Sequence, residues 1–136
     1  SPPPRQPWPD TSPLPLDAWA ASSLPRAEYD VVWLLRFWPR ACLVTLPSIV
    51  APRGLIVVSH FAHDPDPRIP RRGEPYLREY TSPPIDKRIQ RGELRALLDH
   101  WDGMYGPHEI LDECIERVED GRPVHSLVLR VHLHRL

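Results

Sequence analysis

The run Gly54-Leu-Ile-Val-Val-Ser-His-Phe-Ala-His63 constrains this chain more than any other stretch. It opens with a glycine, continues as an unbroken apolar series and closes on polar residues, the pattern of a strand buried on both faces. A second such run, Tyr29 to Phe37, precedes it, and the chain between the two has room for one short helix. Two buried strands joined by a helical crossover make a parallel β-α-β unit. In open α/β sheets ligands sit outside the carboxyl ends of the strands. The residues to watch are therefore Arg36, Phe37, Trp38 and Arg40 after the first strand, and Ser59, His60 and His63 after the second.

The 136 residues are expected to form one domain or part of one, enough for a single core but short for a complete doubly wound enzyme. Seven of the nineteen prolines fall within the first fifteen residues. Residues 1–16 therefore read as an extended, Pro-rich arm. Trp8 and Trp19 suggest that it docks on the body of the protein, and a Pro-recognising partner is the other reading. The α/β domain occupies 17–136. Asp17 to Ser23 fits a short helical turn or a ragged strand equally well.

Pro39 suits the first turn of a helix over Arg40 to Leu46, which Pro47 ends. Ala51 to Gly54 reads as a turn before a strand from Leu55 to Phe61. Residues 63–84 form a Pro- and Arg-rich loop leaving the carboxyl end of that strand, which favours an active-site or lid role. Leu94, Leu97, Leu98 and Trp101 recur at helical spacing, and Gly103 and Gly106 are expected to stop that helix. His108 to Val118, a turn through Pro123, and Val124 to His134 form a closing hairpin, with Leu127, Leu129, Val131 and Leu133 on one face.

A net charge of −1 gives no global reason to expect nucleic acid. Locally, Arg68, Arg71, Arg72, Arg78, Lys87, Arg88, Arg91 and Arg95, with Tyr76 and Tyr80, outnumber the acids among them. Such a stripe suits RNA, but the plainer reading is a solvated loop neutralised by Glu74, Glu79, Asp86 and Glu93. Cys42 and Cys114 read as reduced, buried thiols. No stretch approaches the roughly 20 apolar residues that span a bilayer, and the amino terminus lacks the order of a signal peptide. The expectation is a soluble, intracellular and cytoplasmic protein without a membrane partner.

His60, His63 and Asp64 form an HxxHD group. Either histidine suits a general base or substrate contact, and the plainer alternative is hydrogen bonds that anchor the loop. No metal is assigned, because no further ligand is expected nearby. Arg36 beside Phe37 and Trp38, with Arg40, suits an anionic or planar small-molecule substrate held by pairing and stacking. Its alternative is an Arg36 that caps the sheet on Trp38. His125, His132 and His134 read as edge or surface residues. Ser59 lacks a nucleophile-elbow pattern and neither cysteine opens a helix, which argues against a hydrolase.

Three stretches in this order carry a resemblance: Tyr29-Asp30-Val31-Val32 with Arg36-Phe37, then Ala51-Pro52-Arg53-Gly54-Leu55-Ile56-Val57-Val58 ending in His60-Phe61, and later Arg88-Ile89-Gln90-Arg91-Gly92-Glu93-Leu94. With the Glu119 to Val124 turn they resemble the carboxyl-terminal half of a class I S-adenosylmethionine-dependent methyltransferase, in its tellurite-resistance-like, small-molecule branch. The resemblance covers Asp17 to Leu136 and implies a Rossmann-like sheet. Arg53 stands where the family has the first glycine of a Lys-Pro-Gly-Gly run. The family holds its cofactor through a Gly-rich loop after its first strand, and all six glycines here lie at position 54 or later. The resemblance therefore implies S-adenosylmethionine binding only if an amino-terminal half or a protein partner completes the site. It then implies His60 or His63 as the base and Arg36, Phe37, Trp38 and Arg40 as substrate contacts. The competing expectation is a degenerate, non-catalytic interaction module.

Overall fold

The computed structural model describes residues 28–73 and 79–132. The expected arm over 1–16, the segment from Asp17 to Ser23, Glu74, Tyr76 and Arg78 of the loop, and Leu133 and His134 of the last strand lie outside the described residues.

The chain forms β1 (Tyr29–Leu35), α1 (Arg40–Leu43), a 3-10 turn at Leu46–Ile49, β2 (Val50–Phe61) and β3 (Arg71–Arg72). A 3-10 turn at Ile85–Lys87, α2 (Glu93–Tyr105), β4 (His108–Arg117) and β5 (Pro123–Val131) follow. One five-stranded sheet runs in the order β1-β2-β5-β4-β3. The pairs β1–β2 and β3–β4 are parallel, and β5 lies antiparallel between β2 and β4. This is an α/β fold with a mixed sheet.

The parallel pair and its crossover match the sequence expectation, with differences at two prolines' neighbourhoods. Helix α1 stops at Leu43, before the expected Leu46, and Pro47 sits in the first turn of the 3-10 segment. A proline there forfeits no helical hydrogen bond. The expected turn at Ala51 to Gly54 lies inside β2 as an irregularity: β2 advances from Val50 to Leu55 while β1 advances only from Tyr29 to Val31. Arg53 takes a φ of 65° there. A Cβ on Gly54 would come within 2.8 Å of the Ala51 carbonyl oxygen and of Val50, so close approach of backbone demands glycine.

The core lies on one face of the sheet. Ile56 and Val58 of β2 pair with Leu129 and Leu127 of β5, and α2 lays Leu94, Leu97, Leu98 and Trp101 over them. Leu43, Leu46 and Ile49 of the crossover close the edge. Trp101 is fully buried and its indole N–H donates to the Leu43 carbonyl at 2.8 Å, tying α2 to the end of α1. Helix α2 runs through Gly103 and ends at Gly106, whose φ of 96° suits glycine at a helix terminus.

The other face is different. Val31, Trp33 and Leu35, at alternate positions of β1, are 45, 62 and 51% exposed. Leu55, Val57 and Val128 continue that apolar row half-buried. Cys42 is half-buried and Cys114 buried, both as free thiols; burial pushes the Cys114 thiol up to about 11. No helix among the described residues is long and apolar enough to cross a membrane.

Candidate functional site

The carboxyl ends of β1 and β2 gather the seven residues singled out in the sequence, but on two sides of the sheet. Arg36 leaves β1 with a φ of 55°, donates its backbone N–H to the Ser59 carbonyl at 2.7 Å and its guanidinium to the Ser59 hydroxyl. That guanidinium also sits 5.5 Å above the Phe61 ring, which Arg122 approaches at 4.4 Å. Ser59 lies 3.5 Å from the Ser126 hydroxyl, which donates to Glu116 at 3.1 Å. A polar series thus crosses four strands on the open face. Phe37 is 61% exposed beside it.

Trp38, Arg40 and His60 turn to the core side. Trp38 stacks on His60, with ring centroids 6.3 Å apart and an interplanar angle of 11°, and donates its indole N–H to Glu93 at 3.2 Å. Arg40 pairs with Glu93 through Nε and Nη2, and donates to the carbonyls of Asp86 and Arg88. Glu93 is buried and also accepts the Gln90 backbone N–H at 3.0 Å. Charge-assisted bonds of this kind are strong when desolvated and costly to break singly. Arg40 therefore acts as a clamp joining the crossover to the start of α2, and holding a substrate would cost it those bonds.

His60 donates Nε2–H to the Lys87 carbonyl at 2.7 Å, which leaves Nδ1 as the lone-pair nitrogen. Nδ1 is buried without a partner among the described residues. Burial lowers the His60 pKa more than the Lys87 carbonyl raises it, so the ring is held neutral. His60 thus anchors the 85–88 segment, the plainer of its two expected roles. His63 is half-buried; its backbone N–H donates to Ile89, and Nδ1 lies 3.3 Å from the Arg88 guanidinium. Asp64 pairs with Arg91 at 2.8 Å. Among the described residues no group of three or more His, Cys, Asp or Glu side chains converges as metal ligands would.

Three arginines of the basic stripe are paired with acids. Arg68 binds Asp66, Arg72 binds Asp112 and Glu116, and Arg91 binds Asp64. Arg88 corrects the expectation of a solvated side chain, being buried with only 3% of its surface exposed. It donates to the carbonyls of Pro83 and Tyr80 and lies 3.6 Å from the Tyr80 ring centroid. Tyr80 in turn donates its hydroxyl to the Ala62 carbonyl at 2.6 Å, and burial raises its pKa. His125 is a second correction. It is not a surface residue but is buried on the core face of β5, where Nε2 lies 2.8 Å from Glu113. The alternation that buries Leu127 and Leu129 puts position 125 on the same face, so the signal was present in the sequence. His132 behaves as expected, half-buried and 3.0 Å from Glu109.

A cavity of about 430 Å³ opens beside this cluster, between the 62–70 segment, the first turns of α2, and Glu113 and His125. The 63–84 loop pointed to this region, but the cavity itself was not readable from the sequence, because its walls come from four separate stretches.

The fold and this cluster define a mixed α/β protein whose polar side chains gather at the carboxyl ends of a parallel strand pair. No protein-family profile matches the chain. An uncharacterized protein of Schizosaccharomyces pombe, UNK4.09, is 29% identical over 102 residues, which cover 74% of this chain and 26% of that protein. The chain thus spans about a quarter of the length of that relative.

Proposed function

We propose that this chain is one half of a Rossmann-like methyltransferase sheet, of the class I S-adenosylmethionine-dependent kind, completed by a second α/β half. The observation that carries this reading is the pairing of an open strand with a bare face. Among the described residues β1 has β2 on one side and no strand on the other. Parallel strands are normally covered on both faces, yet Val31, Trp33 and Leu35 are uncovered. A further strand parallel to β1, with its helix on the Trp33 face, would satisfy both, because right-handed crossovers that run the other way across a sheet place their helices on the opposite face. The order of parallel pair, crossover, helix and closing antiparallel hairpin agrees with the resemblance.

The described residues do not by themselves fit the cofactor. The segment after β1 is Arg36-Phe37-Trp38-Pro39, which offers no glycine cradle for close backbone approach. S-adenosylmethionine would accordingly depend on the second half, with Arg36 and Phe37 at the junction as substrate contacts. His63 is the histidine with access for proton handling, since the free nitrogen of His60 is enclosed. The test is calorimetric titration with S-adenosylmethionine and S-adenosylhomocysteine, alone and with a co-purifying partner or supplied amino-terminal half. Binding only in the completed protein supports the reading; binding by this chain alone overturns the assignment of the cofactor loop to the other half.

One observation favours a non-catalytic interaction module instead. Trp38 and Arg40 spend their donors on Glu93 and backbone carbonyls, and His60 is sealed. A completed, folded protein that fails to bind either cofactor form would establish that alternative.

A further inference from the structure

The 63–70 segment is an arch fastened at both ends. At one end the His63 N–H donates to Ile89 and Arg91 holds Asp64; at the other the Ile115 N–H donates to Pro70. Beneath it lies the cavity of about 430 Å³, a volume within the ordinary range of small-molecule pockets. Part of its wall is apolar, formed by Ile69, Leu94 and Leu98. Its floor is the Glu113–His125 pair. The bond from His125 outweighs burial and holds the Glu113 carboxyl below the usual glutamate range, so Glu113 is anionic at neutral pH. Only Oε2 of that carboxylate is engaged, which leaves Oε1 free to accept among the described residues.

The opposite wall is cationic, and its cations are not equivalent. Asp66 takes Arg68 through both carboxylate oxygens, and Asp64 takes Arg91. Arg95, in the first turn of α2, is exposed at the rim of the same cavity with no ion-pair or hydrogen-bond partner among the described residues. It is close enough that its charge acts on Glu113. A cavity with a free acceptor on its floor, an unpaired guanidinium at its rim and an apolar part of the wall between them has a definite complement.

We propose that this cavity binds a small zwitterionic molecule, its anionic group on Arg95 and its amine or other hydrogen-bond donor on Glu113, with a compact apolar middle between them. The site is separate from the open edge of β1, and its occupation does not depend on a methyl-transfer role.

The test follows the His125 imidazole by NMR in histidine-labelled protein during titration with leucine, phosphoethanolamine and inorganic phosphate. One of the two zwitterions is expected to shift His125 saturably at millimolar concentration, with inorganic phosphate at least about tenfold weaker, or about 1.4 kcal/mol. A response to leucine assigns the anion as carboxylate, and one to phosphoethanolamine assigns it as phosphate. Arg95→Ala and Glu113→Gln are each expected to weaken binding at least about tenfold, while Arg117→Ala, on β4 outside the cavity, leaves it unchanged. The proposal is overturned if neither zwitterion shifts His125 in the folded protein. It is equally overturned if inorganic phosphate binds as tightly, or if either variant, folded by circular dichroism, binds like the unaltered chain.

Discussion

The two faces of the β1–β2 pair are built from the same kinds of residue and have opposite fates. Leu34 is 7% exposed beneath the crossover and α2, whereas Leu35, its neighbour in sequence, is 51% exposed on the other side. Composition does not separate them, since Val31, Trp33 and Leu35 are at least as apolar as Val32 and Leu34. What separates them is supply: α1, the 3-10 turn and α2 all pack on one side. A strand pair apolar on both sides but covered on one leaves exposed what parallel strands ordinarily bury, and that exposed row is the ground for the completing half proposed above.

The sharpest way to break that comparison begins on the covered side. Trp101→Ala removes the largest fully buried side chain among the described residues and its bond to Leu43, and is expected to cost about 3–5 kcal/mol in urea unfolding. Leu34→Ala is expected to cost about 2–5 kcal/mol, and Leu35→Ala no more than about 0.5 kcal/mol; equal losses would show the second face to be covered as well. Gly54→Ala, where a Cβ would meet backbone atoms, is expected to cost about 1–3 kcal/mol by forcing β1 and β2 apart. On the bare face, Trp33→Ser should leave thermal unfolding of this chain nearly unchanged and weaken association with a completing half, read by analytical ultracentrifugation.

Electrostatic tests give smaller effects. The Glu113 carboxyl is depressed by His125, so the unfolded state takes up its proton more readily than the folded state. The stability contributed by the pair is therefore complete above the ordinary glutamate value and declines as pH falls through the lower, folded value. Glu113→Gln should flatten that part of the acid unfolding curve. Smallest of all, Asp66, held to about 2 chiefly by the Arg68 hydrogen bond, should return toward the usual carboxylate range in Arg68→Ala, with little loss of stability because the Arg68 side chain is exposed and its pairing screened by solvent. Carboxyl chemical shifts measure this directly.

How much of this was legible depends on how local each signal is. The β1 and β2 runs, the Leu94 to Trp101 stripe and the closing hairpin are short-range patterns, and each appears in the structure within a few residues of its expected place. The insertion of β5 between β2 and β4 has no local signature, because a hairpin's sequence does not say which strand will be central. β3 is two residues within a Pro-rich loop and escapes any periodicity. At the site, the position of Arg36 and His60 at strand ends was readable from the strands alone. The partnership of Arg40 with Glu93, 53 residues away, was not, and neither was the cavity. Counting charges also misplaced Arg88, since a run of arginines does not reveal which one folds inward.

Arg88 carries a last consequence. Carbonyl dipoles of Tyr80 and Pro83 and the Tyr80 ring serve as its counterion, with no carboxylate among the described residues. The 79–88 segment therefore closes around an ion instead of an apolar plug. Guanidinium chloride brings the very species this cage is shaped to hold, as a free competitor at high concentration, whereas urea brings none. Hydrogen exchange should find this segment opening ahead of the sheet in guanidinium and together with it in urea.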